Sequence, residues 1–371
     1  MTRSARKKEL HAPAGFSGGR SARARWRAAG LVCCMVLCIL AAACGGGHTA
    51  SPPGPPAGQP RLPAQGRPQE APPAGGSGLP SVWLPLAEKL AADGLSGPRV
   101  EALLLTLGDT PTQSPMGRKM RELYLRRFFP RPPAQGAPPR YYKGVVSEGN
   151  ARLCRDFVEA HKEDFERAEK TYAVPPSIAA ALLFVETRLG TALGDVPENA
   201  FQTLAGMAVS RTVEDIADWL PRMPEYEKHL DWFAEVMPRR ADWAYREVRA
   251  LTEYMLRENA EPESLPGSIY GAVGLCQFMP SNIAVYGIDG DADGRVDLFT
   301  VPDAVASLAN YLARHGWKAG LSRQAQHGIL MKYNKSVVYA NTILALADLV
   351  EGRAAAPAPP AKKTSGKAAK R

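Results

Sequence analysis

The chain is predicted to be mainly α-helical, and three observations carry that prediction. Between about Val82 and Leu349, apolar residues recur at steps of three and four. No run alternates convincingly with period two, and Pro and Gly fall where the helical runs would start and stop. Of the 371 residues, 45% are hydrophobic and 22% charged, an ordinary globular composition with enough apolar content for a sizeable core. No internal repeat is visible.

The elements follow in order. Ser81 can cap a first helix bearing Leu84, Leu86, Ala87 and Leu90, closed by Asp93-Gly94. A second follows Gly97-Pro98 with Val100, Leu103, Leu104 and Leu107. Asn150 to Tyr172 reads as one helix through Leu153, Phe157, Ala160, Phe165 and Ala168, stopped by Val174-Pro175-Pro176. From Ser177 a nearly wholly apolar helix runs through Ile178, Ala181, Leu182, Val185 and Leu189 to Gly190. Later helices are expected at Arg240–Arg257, Val301–His315 and Val337–Leu349.

Outside this body the chain has a different character. The formal net charge is +9, yet 1–27 holds eight basic residues and one acid, and the tail from Arg353 holds six basic residues and no acid. The body 28–352 is left with 32 basic against 36 acidic residues, which argues against nucleic-acid binding. After the basic run, Ala28 to Ala43 is uncharged, and its 16 residues are fewer than the ~20 a transmembrane helix needs. It reads as a secretory signal, 1–43. Its end, Leu40-Ala41-Ala42-Ala43-Cys44-Gly45, resembles a bacterial lipobox with Cys44 as the lipidated residue, although Ala41 stands where Leu is usual. Simple cleavage and a retained apolar anchor are the alternatives. Gly46 resembles an outer-membrane sorting position, so the expected location is the cell envelope, lipid-anchored and facing the periplasm.

Residues 44–81 form the next unit. From Ser51 to Pro80 there are ten Pro and six Gly, the composition of an extended semi-rigid spacer. The stretch 350–371 reads as a solvated basic tail, with contact to anionic envelope polymers as the other option. Of six cysteines, only Cys154 and Cys276 lie in the body. They can bridge or remain buried thiols, and the second is favoured.

Three segments carry chemistry. In Ala180-Ala181-Leu182-Leu183-Phe184-Val185-Glu186-Thr187-Arg188-Leu189-Gly190, Glu186 is a carboxyl among aliphatic neighbours. Desolvation there would raise its pKa and let it hold a proton near neutrality, as a glycosidic general acid must. A structural Glu paired with Arg188 or Arg211 is the competing reading. In Gly267-Ser268-Ile269-Tyr270-Gly271-Ala272-Val273-Gly274-Leu275-Cys276-Gln277-Phe278-Met279-Pro280, small residues surround a polar pair. Ser268 can hydrogen-bond a carboxylate, and Gln277 can read an acetamido group or sugar hydroxyl. Asp289-Gly290-Asp291-Ala292-Asp293-Gly294-Arg295 starts like an EF-hand loop: acids stand at positions one, three and five, and the Arg295 carbonyl at seven. Position twelve is Thr300 rather than Glu. Calcium binding is expected, with an acidic surface turn as the alternative.

Together with Pro175-Pro176, Pro238-Arg239-Arg240-Ala241, Ala309-Asn310-Tyr311, Gly316-Trp317 and Tyr333-Asn334, these motifs occur in an order that resembles the lytic transglycosylase superfamily of lysozyme-like folds. More narrowly, the chain is similar to the membrane-bound lytic murein transglycosylase B family over 82–349. Three departures are visible: Leu189 for a usual Trp, Leu275-Cys276 for Tyr-Gly, and an enlarged segment at about Leu204–Val236. The first two could alter a sugar subsite and the third the cleft rim.

The resemblance implies a lysozyme-like catalytic core with additional helices and an EF-hand-like loop. It also implies non-hydrolytic cleavage of the MurNAc-β-1,4-GlcNAc bond in peptidoglycan to 1,6-anhydromuramoyl products. Glu186 would be the single acid, then base, and Ser268 would orient it. Gln277, Arg239, Arg240, Tyr311, Asn334 and Tyr339 would line the glycan groove, with Tyr124 a weaker candidate. Core packing competes for Tyr311 and Tyr339, and plain surface solvation for Arg239 and Arg240. Asp303 would complete a structural Ca2+ site with Asp289, Asp291, Asp293 and Arg295, and catalysis would need no cofactor. Peptidoglycan strands, the membrane through Cys44, a monomer and no nucleic acid are the expected partner set. A hydrolytic muramidase, or an inactive tethered peptidoglycan-binding lipoprotein, remains the alternative.

Overall fold

The computed structural model describes residues 78–132, 139–194 and 196–355. The predicted signal segment, Cys44, the spacer up to residue 77 and the tail from residue 356 lie outside them. Among the described residues there are twelve α-helices and no named strand, only isolated bridges Asn199–Pro266 and Val273–Phe278. None of these helices is long and apolar enough to cross a membrane.

The first helix, α1 (Leu84–Ala92), is preceded by a 3-10 turn, Ser81–Trp83. Ser81 therefore opens that turn rather than capping α1, because Trp83 is drawn inward and its indole donates to Gly108 O at 2.7 Å. Helix α2 (Pro98–Leu105) follows as expected, with Pro in its first turn. Helix α3 (Ser114–Phe128) is an addition to the expected elements; Pro115 and Gly117 at its start obscure an inward face of Met116, Met120, Leu123 and Tyr124.

The single helix expected over 150–172 is two, α4 (Glu148–Ala160) and α5 (Lys162–Tyr172). They part at His161 because they serve different neighbours: α4 packs on α6 (Pro176–Thr187) and α12 (Val337–Val350), whereas α5 packs on α10 (Val301–Arg314). Every residue of α6 from Ser177 to Thr187 is buried, which explains an apolar run without a polar face. Around it lie α4, α5, α10 and α12, with α11 (Arg323–Tyr333) against α12.

A second group gathers on α8 (Leu230–Glu258), which packs against α7 (Ala200–Val209) and α9 (Pro280–Tyr286). Helix α8 begins ten residues before the predicted start at Arg240 and passes through Pro238. Proline cannot supply its N–H to residue 234. The buried face Phe233–Met237–Ala241–Ala244–Val248 nevertheless continues across it, and this burial outweighs the lost bond. The enlarged 204–236 segment consists of the end of α7, the 3-10 stretches Val213–Arg222 and Tyr226–His229, and the first turns of α8.

Candidate functional site

Glu186 occupies the last turn of α6. Arg188, Leu189 and Gly190 all take left-handed backbone (φ 49°, 61° and 84°), so the helix stops abruptly. Thr187 Oγ1 donates to Leu275 O at 2.9 Å and accepts from Gly190 N at 3.1 Å, which ties that end to the 267–280 segment. Glu186 is 8% exposed, and its Oε1 accepts from the Tyr339 hydroxyl at 2.5 Å. Burial pushes its carboxyl up to about 7, against the lowering effect of the Tyr339 hydrogen bond. Neither arginine considered from the sequence neutralises it. Arg211 pairs with Asp242 at 2.8 Å, and the Arg188 guanidinium stands over the Phe184 ring.

Glu186 opens into a recess of about 40 Å³ lined also by Gln277, Phe278, Met279, Asn282, Tyr311, Tyr333 and Asn334. Met279, Asn282, Tyr311 and Tyr333 also line a cleft of about 1100 Å³, so the recess and the cleft adjoin across these four side chains. One wall of the cleft is α3, through Lys119, Leu123, Arg126 and Arg127. Another is α8, through Trp232, Val236, Arg239, Arg240, Trp243 and Arg246. The structure thus brings Gln277, Tyr311 and Asn334 to the recess and Arg239 and Arg240 to the wider cleft.

Three expected roles are corrected. Ser268 is not the hydroxyl seen on Glu186: its Oγ lies in the tight 268–272 turn, where it accepts from Ala272 N at 3.0 Å and Tyr270 N at 3.4 Å. The hydroxyl on Glu186 is that of Tyr339, which is fully buried behind the acid rather than lining the groove. Tyr124 is also core: its hydroxyl donates to Pro224 O at 2.6 Å, and its ring sits among Phe128, His229, Trp232 and Phe233.

The departures Leu275 and Cys276 are buried, with Leu275 against Gly190, and neither is among the side chains that line the recess or the cleft. Cys276 and Cys154 are free thiols, both raised in pKa by burial. The Cys276 carbonyl accepts from the Tyr333 hydroxyl. Gln277 has φ 52°, and its Nε2 donates to Gly274 O at 3.0 Å, which fixes the side chain at the recess.

The sequence reading missed Trp232, Trp243 and Tyr333 as lining residues. A signal existed: Trp232, Val236, Arg239 and Trp243 share one helical face, legible only if α8 is started before Pro238.

In the acidic loop, carboxylate oxygens of Asp289, Asp291 and Asp303 lie within 4.8 Å of one another. Asp303, 2% exposed, accepts from Gly290 N at 2.7 Å and Asp297 N at 2.6 Å. Burial raises its pKa, and the charges of Asp291 and Asp289 add to that. Asp293 is exposed and accepts from Arg295 N, so it stands outside the converging trio. Three oxygen donors at this separation suit a hard divalent cation, which would offset their repulsion.

A family model, "Transglycosylase SLT domain", matches residues 83–327. Membrane-bound lytic murein transglycosylase B of Escherichia coli (strain K12) is 30% identical over 192 residues, which are 51% of this chain and 45% of that protein. The match therefore spans about half of each protein. Among solved structures, the lytic transglycosylase SltB1 from Pseudomonas aeruginosa aligns with TM-score 0.55 and 22% identity, covering 74% of this chain and 98% of that one. Escherichia coli Slt35, solved in complex with calcium, aligns with TM-score 0.55 and 20% identity, covering 75% and 95%. These structural likenesses establish a shared fold: mainly α and lysozyme-like.

Proposed function

The chain belongs to the transglycosylase SLT domain family, and from that membership we propose that it is a lytic murein transglycosylase acting on peptidoglycan glycan strands. The observation that carries this reading is Glu186: a buried carboxyl raised to about 7, facing a recess that adjoins a wide cleft. In the first step Glu186 gives its proton to the glycosidic oxygen, and the GlcNAc 4-hydroxyl leaves. Glu186 is the one carboxylate among the recess-lining residues, so the reading does not call on a paired nucleophile. The carbonyl oxygen of the substrate's 2-acetamido group instead bonds to C1. Then the muramoyl 6-hydroxyl attacks C1, its proton passes to Glu186, the acetamido oxygen departs and a 1,6-anhydro ring closes. Tyr339 holds Glu186 Oε1 in both states, while Gln277, Tyr311 and Asn334 line the space for the sugar at the cleaved bond. The test is the mass of soluble products from purified sacculi. Anhydromuropeptides are expected, and reducing-end muropeptides from wild-type protein would replace this reading with a hydrolytic muramidase.

Asp289, Asp291 and Asp303 would hold a structural calcium ion, supported by their convergence and by the calcium in the Slt35 structure. The ion would clamp the 289–303 loop against α10 and supply no chemistry to the reaction. Chelation is expected to lower the melting temperature by several degrees in wild type and to leave Asp303→Asn unmoved. An unshifted wild-type melt would remove the site.

The unit 82–349 would be the catalytic body, carried on the 44–81 spacer from a lipid anchor at Cys44. The name of the Escherichia coli relative, which is membrane-bound, supports an attached protein. Cys44→Ala should then move the protein out of the membrane fraction, and its retention there would instead indicate the apolar segment as anchor.

A further inference from the structure

The cleft is charged against the trend of the body. Seven of its lining side chains are basic and one, Glu247, is acidic, whereas 28–352 as a whole carries more acids than bases. Glu247 is buried and already accepts from Ser281 N and Oγ, each at 3.0 Å. A neutral sugar chain gives no reason for this excess. Sugar hydroxyls are read by amides, carboxylates and aromatic faces, and cations gain little from them.

Several of the cations are occupied. Lys119 pairs with Glu122 at 3.0 Å and lies over the Tyr270 ring, Arg239 pairs with Glu235, and Lys332 donates to His315 O. Arg126, Arg127 and Arg246 are different: all three are exposed, and none makes an ion pair among the described residues. Arg246, on α8, has Asp242 and Glu247 within range of its charge, which leaves Arg126 and Arg127 as the pair on α3. They follow Lys119 at steps of seven and eight and Leu123 at steps of three and four, so α3 turns this one face to the cleft. The same segment turns Tyr124 into the core, where Tyr124 and Phe128 meet Trp232 of α8 with ring centroids 5.8 and 5.5 Å apart. The pair is therefore set on a packed corner where the two walls meet. No residue of α3 lines the Glu186 recess, so these guanidiniums address a part of the ligand beyond the cleaved bond.

We propose that Arg126 and Arg127 form a carboxylate subsite for the peptide stem carried by the muramoyl residues of the bound strand. The inference rests on the peptidoglycan reading above and specifies which form of the strand the cleft prefers. The stem is the anionic portion of that polymer, with free α-carboxylates on a flexible chain. Paired guanidinium forks match carboxylates in geometry as well as in charge. Lying in the last turn of α3, the arginines would also favour the helix dipole. A role confined to that would alter stability and leave strand preference untouched.

The experiment compares wild type with Arg126→Gln/Arg127→Gln on three strand preparations. One carries intact stems, one has had its stems removed by an amidase, and one has its stem carboxylates blocked as amides. The double variant is expected to lose roughly tenfold in kcat/KM on intact strands, the scale of two exposed charge pairs. It should match wild type within about twofold on the other two. The wild-type preference for intact strands should also weaken with added salt. Equal losses on all three preparations would overturn the proposal in favour of a glycan or folding role, and no loss on intact strands would leave the pair a solvated face. Strand binding by co-sedimentation, in a Glu186→Gln background, reads the subsite independently of turnover. Wild type that cuts no strand would thus defeat the enzymatic reading, and the binding comparison would still decide the subsite.

Discussion

Replacing Glu186 by Gln is expected to lower turnover on purified glycan strands by about a thousandfold, the effect of removing a positioned proton donor and acceptor together. Gln keeps the shape and can still accept from Tyr339, so binding of strands should persist. The same substitution has a signature in stability. The native carboxyl, at about 7, lies above the ordinary 4.5, so the folded state holds the proton more tightly than the unfolded chain. The benefit of burying the neutral acid is full below pH 4.5. It is lost progressively as pH rises through about 7, where the shift corresponds to roughly 3 kcal/mol against the ionised native form. Glu186→Gln should therefore melt several degrees higher than wild type at pH 8 and close to wild type at pH 4. Wild-type turnover should decline on the alkaline side of about 7 for the same reason, since the first step needs the protonated acid. An unaltered rate in the variant would move the chemistry to another residue.

Gly274→Ala is expected to be the most damaging single methyl group in the 267–280 segment. Gly274 has φ 76°, and a Cβ built there would lie 2.4 Å from Leu298 Cβ and 2.6 Å from Leu298 O. That backbone cannot retreat freely, because Leu275 N donates to Leu298 O at 2.8 Å. Left-handed strain and overlap together should cost about 3 kcal/mol. Gly320 supplies the control: its φ is 73°, but nothing lies within 4 Å of a Cβ there. Gly320→Ala should therefore cost only about 1 kcal/mol, from backbone strain alone. Gly274→Ala should reduce activity even in the fraction that folds, since the Gly274 carbonyl accepts both Gln277 N–H and Gln277 Nε2. Denaturant melts of the two variants, read beside turnover, check this. Equal costs at 274 and 320 would mean that Leu298 yields.

Features that are local in the chain are legible in its residues alone. An apolar run bounded by Pro175-Pro176 and Gly190 cannot be a surface helix, and that run places Glu186 in a desolvated setting. The alternation of acids and glycines from Asp289 to Gly294 likewise marked a loop that folds back on itself through its own carboxylates. Chain-local patterns fix backbone conformation and burial, because period and turn chemistry act within a few residues.

Other features depend on which distant residues meet. The partner of Glu186 is Tyr339, 153 positions away, and nothing in the spacing distinguishes it from Ser268, whose hydroxyl the 268–272 turn takes up instead. Tyr124 and Arg126 are two residues apart on one helix, yet one enters the core and the other faces the cleft, according to where α8 lies against α3. The break at His161 and the passage of α8 through Pro238 have the same origin. Local preference is worth ~1–3 kcal/mol at such positions, and burial of a continuous apolar face against neighbouring helices exceeds it.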